Sequence, residues 1–374
     1  MKFKINSNQI KTKVTLLKRS LNPNHSLPVL TGAYFKAFKN NTIEVRATDL
    51  YFGVKFKIKA KVEKPGDGVI QGQKLIEIIN SLKDDLEIDF IQSDDRKKIT
   101  LKTSQLKINL PLLKTEDYPE FPLVKGESFL VKLEQIKKIN QYITSNASTD
   151  QTRPILTGVL LNFEKKHLIA AATDGYRLAF GKFLKEGDKK GSMIVPAKNI
   201  YDLEKTMIEE EVDSLVLEVD KKQHQAKCII SDTEIYLRLI DGEYPPYKKI
   251  IPDNFNLEVE IDSVELLENL KQAKIFSRSN SNIVQLRISQ DKFEVYANSA
   301  DMGDYRSYLS NVKIRGEVFD IAFNINYLID IATKAGERKI IMMGVESLRP
   351  AKFMIENETN LTYIIMPIKV HNQV

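Results

Sequence analysis

The stretch Pro28–Gly32, which reads PVLTG, returns as Pro154–Gly158, which reads PILTG. Two further stretches recur in the same order: Ala47–Asp49 returns as Ala172–Asp174, and Asp117–Pro119 returns as Glu243–Pro245. The three offsets are 126, 125 and 126 residues, so a single period relates them. A fainter copy, ANSAD at 297–301, follows one period later. Repeats of this length are whole domains, because solenoid repeats have periods of about 20–50 residues.

Three such repeats nearly fill the 374 residues of the chain. We therefore predict three domains, at 1–122, 127–252 and 254–374, each large enough to bury its own core. Proline and charge replace the alternating pattern near Pro122–Glu127 and Pro252–Asn256, so we expect the linkers there. A triplicated domain suggests that the protein supplies a shape rather than a reaction.

The composition is that of a globular protein, with 42% hydrophobic and 28% charged residues. It excludes a mainly disordered chain. We find no run of about 18 apolar residues that would cross a membrane, and Met1–Asn6 predicts a strand rather than a secretory signal. The single cysteine, Cys228, has a strand-like context that favours a buried thiol over a nucleophile. These features predict a protein of the reducing cytoplasm.

The formal net charge is +6 and the isoelectric point about 8.9. Such a balance permits binding to nucleic acid but does not establish it.

Each repeat opens with a strand and a helix that has one apolar stripe and one basic face. The stripes are Ile10, Val14, Leu17 and Leu21 on a helix over Ser7–Leu21, then Ile136, Ile139 and Ile143, then Leu266, Leu270 and Ala273. The basic faces are Lys11, Lys13, Lys18 and Arg19, then Lys137 and Lys138, then Lys271, Lys274 and Arg278. A hairpin and a second helix follow, the latter at Lys74–Leu82, Ala197–Met207 and Ile325–Ala335. The predicted fold class is α+β, with antiparallel sheet and two helices per domain.

The sequence lacks the common motifs of catalysis and cofactor binding. It contains no GxGxxG, P-loop or HExxH pattern, and its four histidines have no ligand spacing. We therefore expect no catalytic residue, no metal and no cofactor. Asp49 and Asp174 recur at one place in two copies of a fold, which favours a carboxylate that binds turn amides over acid–base chemistry.

Four longer stretches, in order along a triplicated chain, carry a resemblance to a known family: Arg153–Gly158, Ala172–Ala179, Ile240–Pro245 and Tyr363–Ile368. With them the whole chain resembles the bacterial DNA polymerase III beta subunit, the replication sliding clamp. The resemblance implies three DNA-clamp domains with sheets outside and helices lining a ring. It implies a non-enzymatic homodimer that encircles double-stranded DNA without reading its sequence, slides, and tethers the replicative polymerase, the clamp loader and repair proteins through short linear motifs.

The resemblance also implies a pocket for partner peptides. Its residues would be Leu156, Thr173, Gly175, Tyr176, Arg177, Leu178, Pro245, Ile250, Leu348, Pro350, Ile365, Met366, Pro367 and Ile368. Leucine, isoleucine, proline and the adaptable methionine would form an apolar floor, and Arg177 would orient the peptide. The alternative for Leu156 and Leu178 is an ordinary core position.

Two further sets of residues follow from the same resemblance. The DNA-facing set is Lys11, Lys18, Arg19, Lys74, Lys137, Lys138, Arg153, Lys198 and Lys271, whose charges would meet phosphates without reading bases. The dimer interface would join Ile108 and Leu110 of one copy to Ile275 and Phe276 of the other. Solvated helix faces and core packing are the respective alternatives.

The chain departs from the family in three respects. Asn24, Gln73 and Ala197 stand where the family often has arginines, the net charge is basic where the family's is usually acidic, and Val370–Val374 forms a slightly longer tail. The sequence leaves two alternative functions: an enzyme on the same scaffold that uses Asp174 and Arg177, and a monomeric peptide-binding adaptor.

Overall fold

The computed structural model describes residues 1–277, 281–299 and 303–370. Four parts of the sequence named above lie outside the described residues: Arg278, Ala300, Asp301 and the tail from His371 on. The α-helices are α1 (Ser7–Ser20), α2 (Gly72–Ser81), α3 (Leu133–Lys138), α4 (Ala197–Glu209), α5 (Ser263–Ser277) and α6 (Ile325–Ala335). A π-helical turn, Ile139–Ile143, continues α3.

The strands pair antiparallel throughout the described residues. They are β1 (Lys2–Asn6), β2 (Gly32–Phe38), β3 (Thr42–Thr48), β4 (Phe52–Lys59), β5 (Lys61–Lys64), β6 (Gly66–Gln71), β7 (Glu87–Gln92), β8 (Lys98–Lys102), β9 (Lys107–Leu113), β10 (Glu127–Lys132), β11 (Gly158–Phe163), β12 (His167–Thr173), β13 (Arg177–Leu184), β14 (Gly191–Pro196), β15 (Ser214–Asp220), β16 (Gln225–Ile230), β17 (Thr233–Arg238), β18 (Leu257–Asp262), β19 (Ile283–Ser289), β20 (Lys292–Ser299), β21 (Gly303–Leu309), β22 (Val312–Gly316), β23 (Ile321–Asn324), β24 (Lys339–Gly344), β25 (Ala351–Ile355) and β26 (Leu361–Ile365). The predicted α+β class is confirmed.

The repeated PVLTG and PILTG stretches form the same local structure twice. Each is a 3₁₀ turn, at Pro28–Thr31 and Pro154–Thr157, and the glycine that follows begins a strand. In both turns the threonine hydroxyl donates to the proline carbonyl oxygen at 2.7 Å. Proline supplies the fixed φ that starts a helical turn, which explains why the stretch recurs.

The described chain forms two compact units. Unit 1 comprises Met1–Ile136 and Lys198–Ile240, and unit 2 comprises Lys137–Ala197 and the described residues from Asp241 on. The middle repeat thus contributes to both units. The cause is strand pairing between repeats, since β4 pairs with β17 in unit 1 and β13 pairs with β26 in unit 2. The three domain boundaries drawn from the sequence remain a prediction.

Unit 1 contains one sheet of 13 strands in the order β10-β15-β16-β17-β4-β3-β2-β6-β9-β8-β7-β1-β5. Its core includes Phe3, which stacks on Phe90 with ring centroids 4.7 Å apart, and Phe35, whose ring lies 6.2 Å from the same Phe90. Helix α1 adds the buried Ile10 and Val14 to this core, and the side chain of Asn6 caps its first turn. The amphipathic helix predicted over Ser7–Leu21 is confirmed and ends one residue earlier.

Unit 2 contains a sheet of nine strands, β14-β11-β12-β13-β26-β25-β24-β18-β22, and a sheet of four, β21-β20-β19-β23. Phe323 of β23 and Phe353 of β25 pack edge to face with centroids 5.7 Å apart. Helix α6 has the predicted bounds, since Asn324 caps its start and Gly336 follows its end with a φ of 64°.

Two further predictions concern the chain as a whole. Cys228 is buried, and burial raises the pKa of its thiol, so the prediction of an unreactive cysteine is confirmed. None of the described helices has the length and apolarity needed to cross a membrane.

Candidate functional site

A turn that joins β12 to β13 forms the centre of the predicted peptide site. Asp174 Oδ1 accepts hydrogen bonds from the backbone N–H groups of Tyr176 (2.9 Å) and Arg177 (3.0 Å). The Thr173 hydroxyl donates to the Arg177 carbonyl oxygen at 2.6 Å and accepts from the Gly175 N–H at 3.1 Å. Gly175 has a φ of 95°, which favours glycine. Asp174 therefore braces a turn, as predicted.

Three strand ends bring the widely separated parts of the site together. Arg177 at the start of β13 pairs with Ile365 at the end of β26, and Ile365 also pairs with Ala351 at the start of β25. The Met366 N–H extends this ladder by donating to the Tyr176 carbonyl oxygen at 2.9 Å. Residues that are nearly 200 positions apart in sequence thus lie at one edge of the nine-stranded sheet.

The predicted pocket residues divide by exposure. The exposed ones are Tyr176, Pro245, Ile250, Leu348 and Met366. Six others are partly or fully accessible: Leu156, Gly175, Arg177, Pro350, Pro367 and Ile368. The remaining three are buried: Thr173, Leu178 and Ile365. Exposed apolar side chains are the ones that can contact a partner. The structure therefore offers an apolar surface at this edge without any rearrangement.

Leu178 supports this surface from below. It has no exposed surface and packs in a cluster with Ile169, Ala171, Tyr247 and Ile364. The hydroxyl of Tyr244, which is packed against this cluster, accepts a hydrogen bond from the Thr173 N–H at 3.0 Å. Burial raises the pKa of Tyr244. The repeated Glu243–Pro245 stretch is thereby fixed to the Thr173 turn.

Arg177 already has its partners within unit 2. Its guanidinium contacts Asp174 Oδ2 (3.1 Å), Asp330 Oδ2 (3.0 Å) and the Ser145 carbonyl oxygen (2.7 Å), and lies 4.6 Å from the centre of the Tyr327 ring. A guanidinium with these contacts holds the Thr173 turn in place relative to Asp330 of helix α6. These contacts suit a positioning role for Arg177, and its direct contact with a peptide stays a prediction.

Sequence reasoning missed two residues behind Arg177. Lys334 donates to Asp330 Oδ2 at 2.8 Å and to the Tyr142 carbonyl oxygen at 3.2 Å, and its burial lowers its pKa. Asp330 thus binds Arg177 and Lys334 with the same oxygen. In the sequence the two form an ordinary i, i+4 pair on a helix, and nothing marks them as partly buried.

The predicted DNA-facing residues fall into two groups. Lys18, Lys74, Lys137, Lys198 and Lys271 are exposed and have no ion-pair partner among the described residues. The others have carboxylate partners: Lys11 pairs with Asp84, Arg19 with Glu209, Lys138 with Glu358 and Arg153 with Asp150. Only the first group has charge that a phosphate could take up without breaking an existing pair.

The predicted dimer residues lie in strand β9 and near the end of helix α5, beside strand β21. In β9 only Leu112 and Leu113 pair with β6, so the backbone of Lys107–Leu110 has β8 as its sole described strand neighbour. Strand β21 is the edge of the four-stranded sheet. Ile275 is exposed and Phe276 is half-buried, its ring 5.9 Å from that of Tyr305 in β21. Ile108 is half-buried, whereas Leu110 is buried within unit 1.

Within residues 1–277, 281–299 and 303–370, no group of three or more His, Cys, Asp or Glu side chains is arranged to hold a metal ion.

Comparisons with known proteins agree with this geometry. Three family models match in order: the N-terminal domain of the DNA polymerase III beta subunit at residues 1–122, its central domain at 130–246 and its C-terminal domain at 248–369. The chain is 24% identical over 383 aligned positions to a beta sliding clamp of Staphylococcus aureus, covering 99% of this chain and all of the relative.

Solved structures give the same result for the fold. Beta subunits of Thermotoga maritima and Bacillus subtilis each superpose with a TM-score of 0.91 at 22% identity, over 99% of this chain and all of theirs. The described strands and helices are therefore those of three sliding-clamp domains. The matches leave only short segments of the sequence outside the family models. The chain belongs to the DNA polymerase III beta subunit family.

Proposed function

We propose that the protein is the processivity factor of a replicative DNA polymerase. Two copies form a ring around duplex DNA, slide along it, and tether the polymerase, the clamp loader and repair proteins. The observation that carries this proposal is the match of all three beta-subunit domains, in order and over nearly the whole chain. The protein acts in the cytoplasm and is not an enzyme: the ring holds DNA by enclosing it, and no bond is made or broken.

The exposed lysines suit a protein that slides. Lys18, Lys74, Lys137, Lys198 and Lys271 lie on or at the start of helices in all three repeats. Lysine meets phosphates as a point charge on a flexible stem, so the contacts carry no sequence information. Weak contacts of this kind keep the DNA centred without fixing one register.

Retention on DNA tests the ring directly. We expect the protein, once loaded onto nicked circular DNA, to co-elute with it in about 200 mM salt, although electrostatic contacts to 6–10 phosphates lose roughly 10³–10⁵ in affinity between about 50 and 200 mM salt. Cutting the same circle once should release the protein, because a ring slides off an end. Gel filtration of the DNA-bound fraction before and after cutting measures this. Equal retention on both forms would contradict enclosure.

We further propose that partner peptides bind at the edge formed by Tyr176, Leu348 and Met366. These side chains are apolar and exposed. Tyr176 and Met366 flank the end of the β13–β26 ladder, and Leu348 lies three residues before Ala351, which pairs with Ile365. An extended peptide can lay alternate apolar side chains on such a surface while its backbone meets the free groups of the strand ends. Arg177, Thr173 and Leu178 hold the surface from behind.

Met366→Asp should weaken binding of a partner peptide by about tenfold or more, because burying a methionine side chain contributes about 1.5–3 kcal/mol. Fluorescence anisotropy with the labelled carboxy-terminal tail of the cognate polymerase measures the affinity. Leu184→Asp is the control, since Leu184 is an exposed apolar residue of unit 2 at the far end of β13. Unchanged affinity in Met366→Asp, or an equal loss in the control, would reject this assignment.

We propose that the dimer forms where the β9 edge of one copy meets the β21 edge of the other. The two edges have unpaired backbone groups that a second chain can complete. Ile275 and Phe276 would then pack beside Ile108 of the partner subunit. Leu110 would contribute its backbone, because its side chain is already buried.

A further inference from the structure

Unit 1 contains a second copy of the framework that supports the predicted peptide site. Asp49 Oδ1 accepts from the N–H groups of Tyr51 (2.9 Å) and Phe52 (2.7 Å), and the Thr48 hydroxyl accepts from the Leu50 N–H (3.0 Å). These are the bonds that Asp174 and Thr173 make one period later. The turn between β3 and β4 is thus the counterpart of the Thr173 turn.

The neighbouring strand repeats as well. Phe52 pairs with Leu237 of β17, as Arg177 pairs with Ile365 of β26. The N–H of Arg238 donates to the Tyr51 carbonyl oxygen at 2.9 Å, as that of Met366 donates to Tyr176. Arg238 therefore stands where the predicted pocket has Met366.

This second framework surrounds a cleft of about 310 Å³ that lies entirely within unit 1. Its apolar lining includes Leu50, Tyr51 and Phe121. Phe121 packs edge to face on Tyr236, with ring centroids 4.7 Å apart. Gly53 makes room for Phe121, because a Cβ on Gly53 would lie 2.5 Å from that ring. Leu178 is the residue of unit 2 that corresponds to Gly53. The two sites therefore share a framework but differ in the side chains that line them.

The mouth of the cleft is strained. Leu50 has a φ of 74° at the position where unit 2 has Gly175, with a φ of 95°. Leucine is disfavoured in this left-handed region because its Cβ crowds the backbone. Its side chain is 48% exposed, and Tyr51 beside it is 65% exposed. Strain of this kind at an exposed apolar side chain is typical of a binding position.

The charged and polar residues that line the cleft indicate which kind of ligand it can bind. Glu120, which lines it, is paired with Arg46 at 2.7 Å. The guanidinium of Arg238 lies 5.8 Å from the centre of the Tyr51 ring and has no carboxylate partner among the described residues. Gln225, opposite Arg238 in the β16–β17 pair, has a buried side-chain oxygen that accepts no hydrogen bond within the described chain. The lining thus presents an unpaired cation beside an apolar floor, and an unused acceptor lies buried near it.

We propose that this cleft is a second docking site, for a short extended peptide in which an aspartate or glutamate adjoins an apolar side chain. The carboxylate pairs with Arg238 and the apolar side chain packs between Leu50, Tyr51 and Phe121. The inference rests on the proposed function in one respect: the repeated framework is that of the predicted partner pocket. The two sites differ in preference, since Arg238 replaces Met366.

The experiment uses the full-length protein and a fluorescein-labelled peptide, acetyl-Gly-Asp-Leu-Glu-Phe-Gly amide, with a control peptide in which Asn and Gln replace the acidic residues. We expect Arg238→Gln and Tyr51→Ala each to weaken binding of the acidic peptide by about fivefold or more. Met366→Asp should leave it within about twofold. The neutral peptide should bind less tightly than the acidic one.

Leu50→Gly separates binding from folding. Glycine relieves the strain at this position, so the melting temperature should stay within a few degrees of wild type while the peptide binds more weakly. The proposal is overturned if the acidic peptide does not bind, if the neutral peptide binds as well, or if only Met366→Asp reduces binding. In the last case the predicted pocket stands and only the second site fails. Retention on circular DNA, measured on the same variants, tests the proposed function separately.

Discussion

Leu178→Ala lowers the free energy of unfolding by about 2–5 kcal/mol, the range seen when a fully buried leucine is truncated. The side chain has no exposed surface, and it packs against Ile169, Tyr247 and Ile364. Ile169 and Ile364 belong to β12 and β26, the two strands that flank β13, and Tyr247 belongs to a 3₁₀ turn. Their fixed positions limit how far they can move into the cavity that the substitution leaves. Urea unfolding followed by circular dichroism measures the change.

Leu184→Ala is the control for this prediction. Leu184 belongs to the same strand, β13, but is 78% exposed, so its truncation should change the stability by no more than about 0.5 kcal/mol. A loss below about 1 kcal/mol in Leu178→Ala would mean that the cluster repacks freely. Leu178 would then not be the rigid support of the peptide site that we infer.

This position also shows what the sequence could and could not reveal. A leucine that follows Tyr176 and Arg177 has the same pattern whether it lines a pocket or fills a core. The position relative to the strand decides the matter: Tyr176 lies in the turn before β13 and is exposed, while Leu178 is the second residue of β13 and is buried. The resemblance predicts the site, and the structure shows which of the predicted residues are exposed.

Helix boundaries were predictable where the signals were local. Helix α6 matched residue for residue because its cap, its apolar stripe and its terminal glycine all agree. The helix predicted from Ile136, Ile139 and Ile143 instead changes to a π-helical turn at Ile139. There Asn146 donates to the Tyr142 and Ile143 carbonyl oxygens, and the Thr144 hydroxyl donates to that of Ile139. Such side chains compete with the helical ladder.

The sequence pattern could not predict which strands of different repeats pair with each other. The repeat predicted three domains but not that the described chain forms two compact units, which arise because β17 and β26 pair with strands of the preceding repeat. The partly buried network of Asp330 and Lys334 was missed for a similar reason: its partner Arg177 is 153 residues from Asp330. Nothing in the local sequence distinguishes such a pair from a solvated one.

Ile275→Asp weakens the homodimer by about 2–4 kcal/mol, the effect of removing a central interface anchor. The dissociation constant should rise by roughly 30-fold to 1,000-fold. Ile275 is exposed in the single chain and lies one residue before Phe276, which rests on Tyr305 of the edge strand β21. A carboxylate there would be buried without a partner once two copies join.

Sedimentation velocity measures the dimer, since a species of 42.8 kDa replaces one of twice that mass. Val264→Asp is the matched control: Val264 is an exposed apolar residue of the same helix, and a carboxylate in the first turn is favourable there. If Ile275→Asp remains dimeric, the proposed seam is wrong. If it becomes monomeric, it should also be lost from nicked circular DNA, although Lys18, Lys74 and Lys271 are unchanged. That joint result would separate enclosure from electrostatic attraction, because only the closed ring needs Ile275.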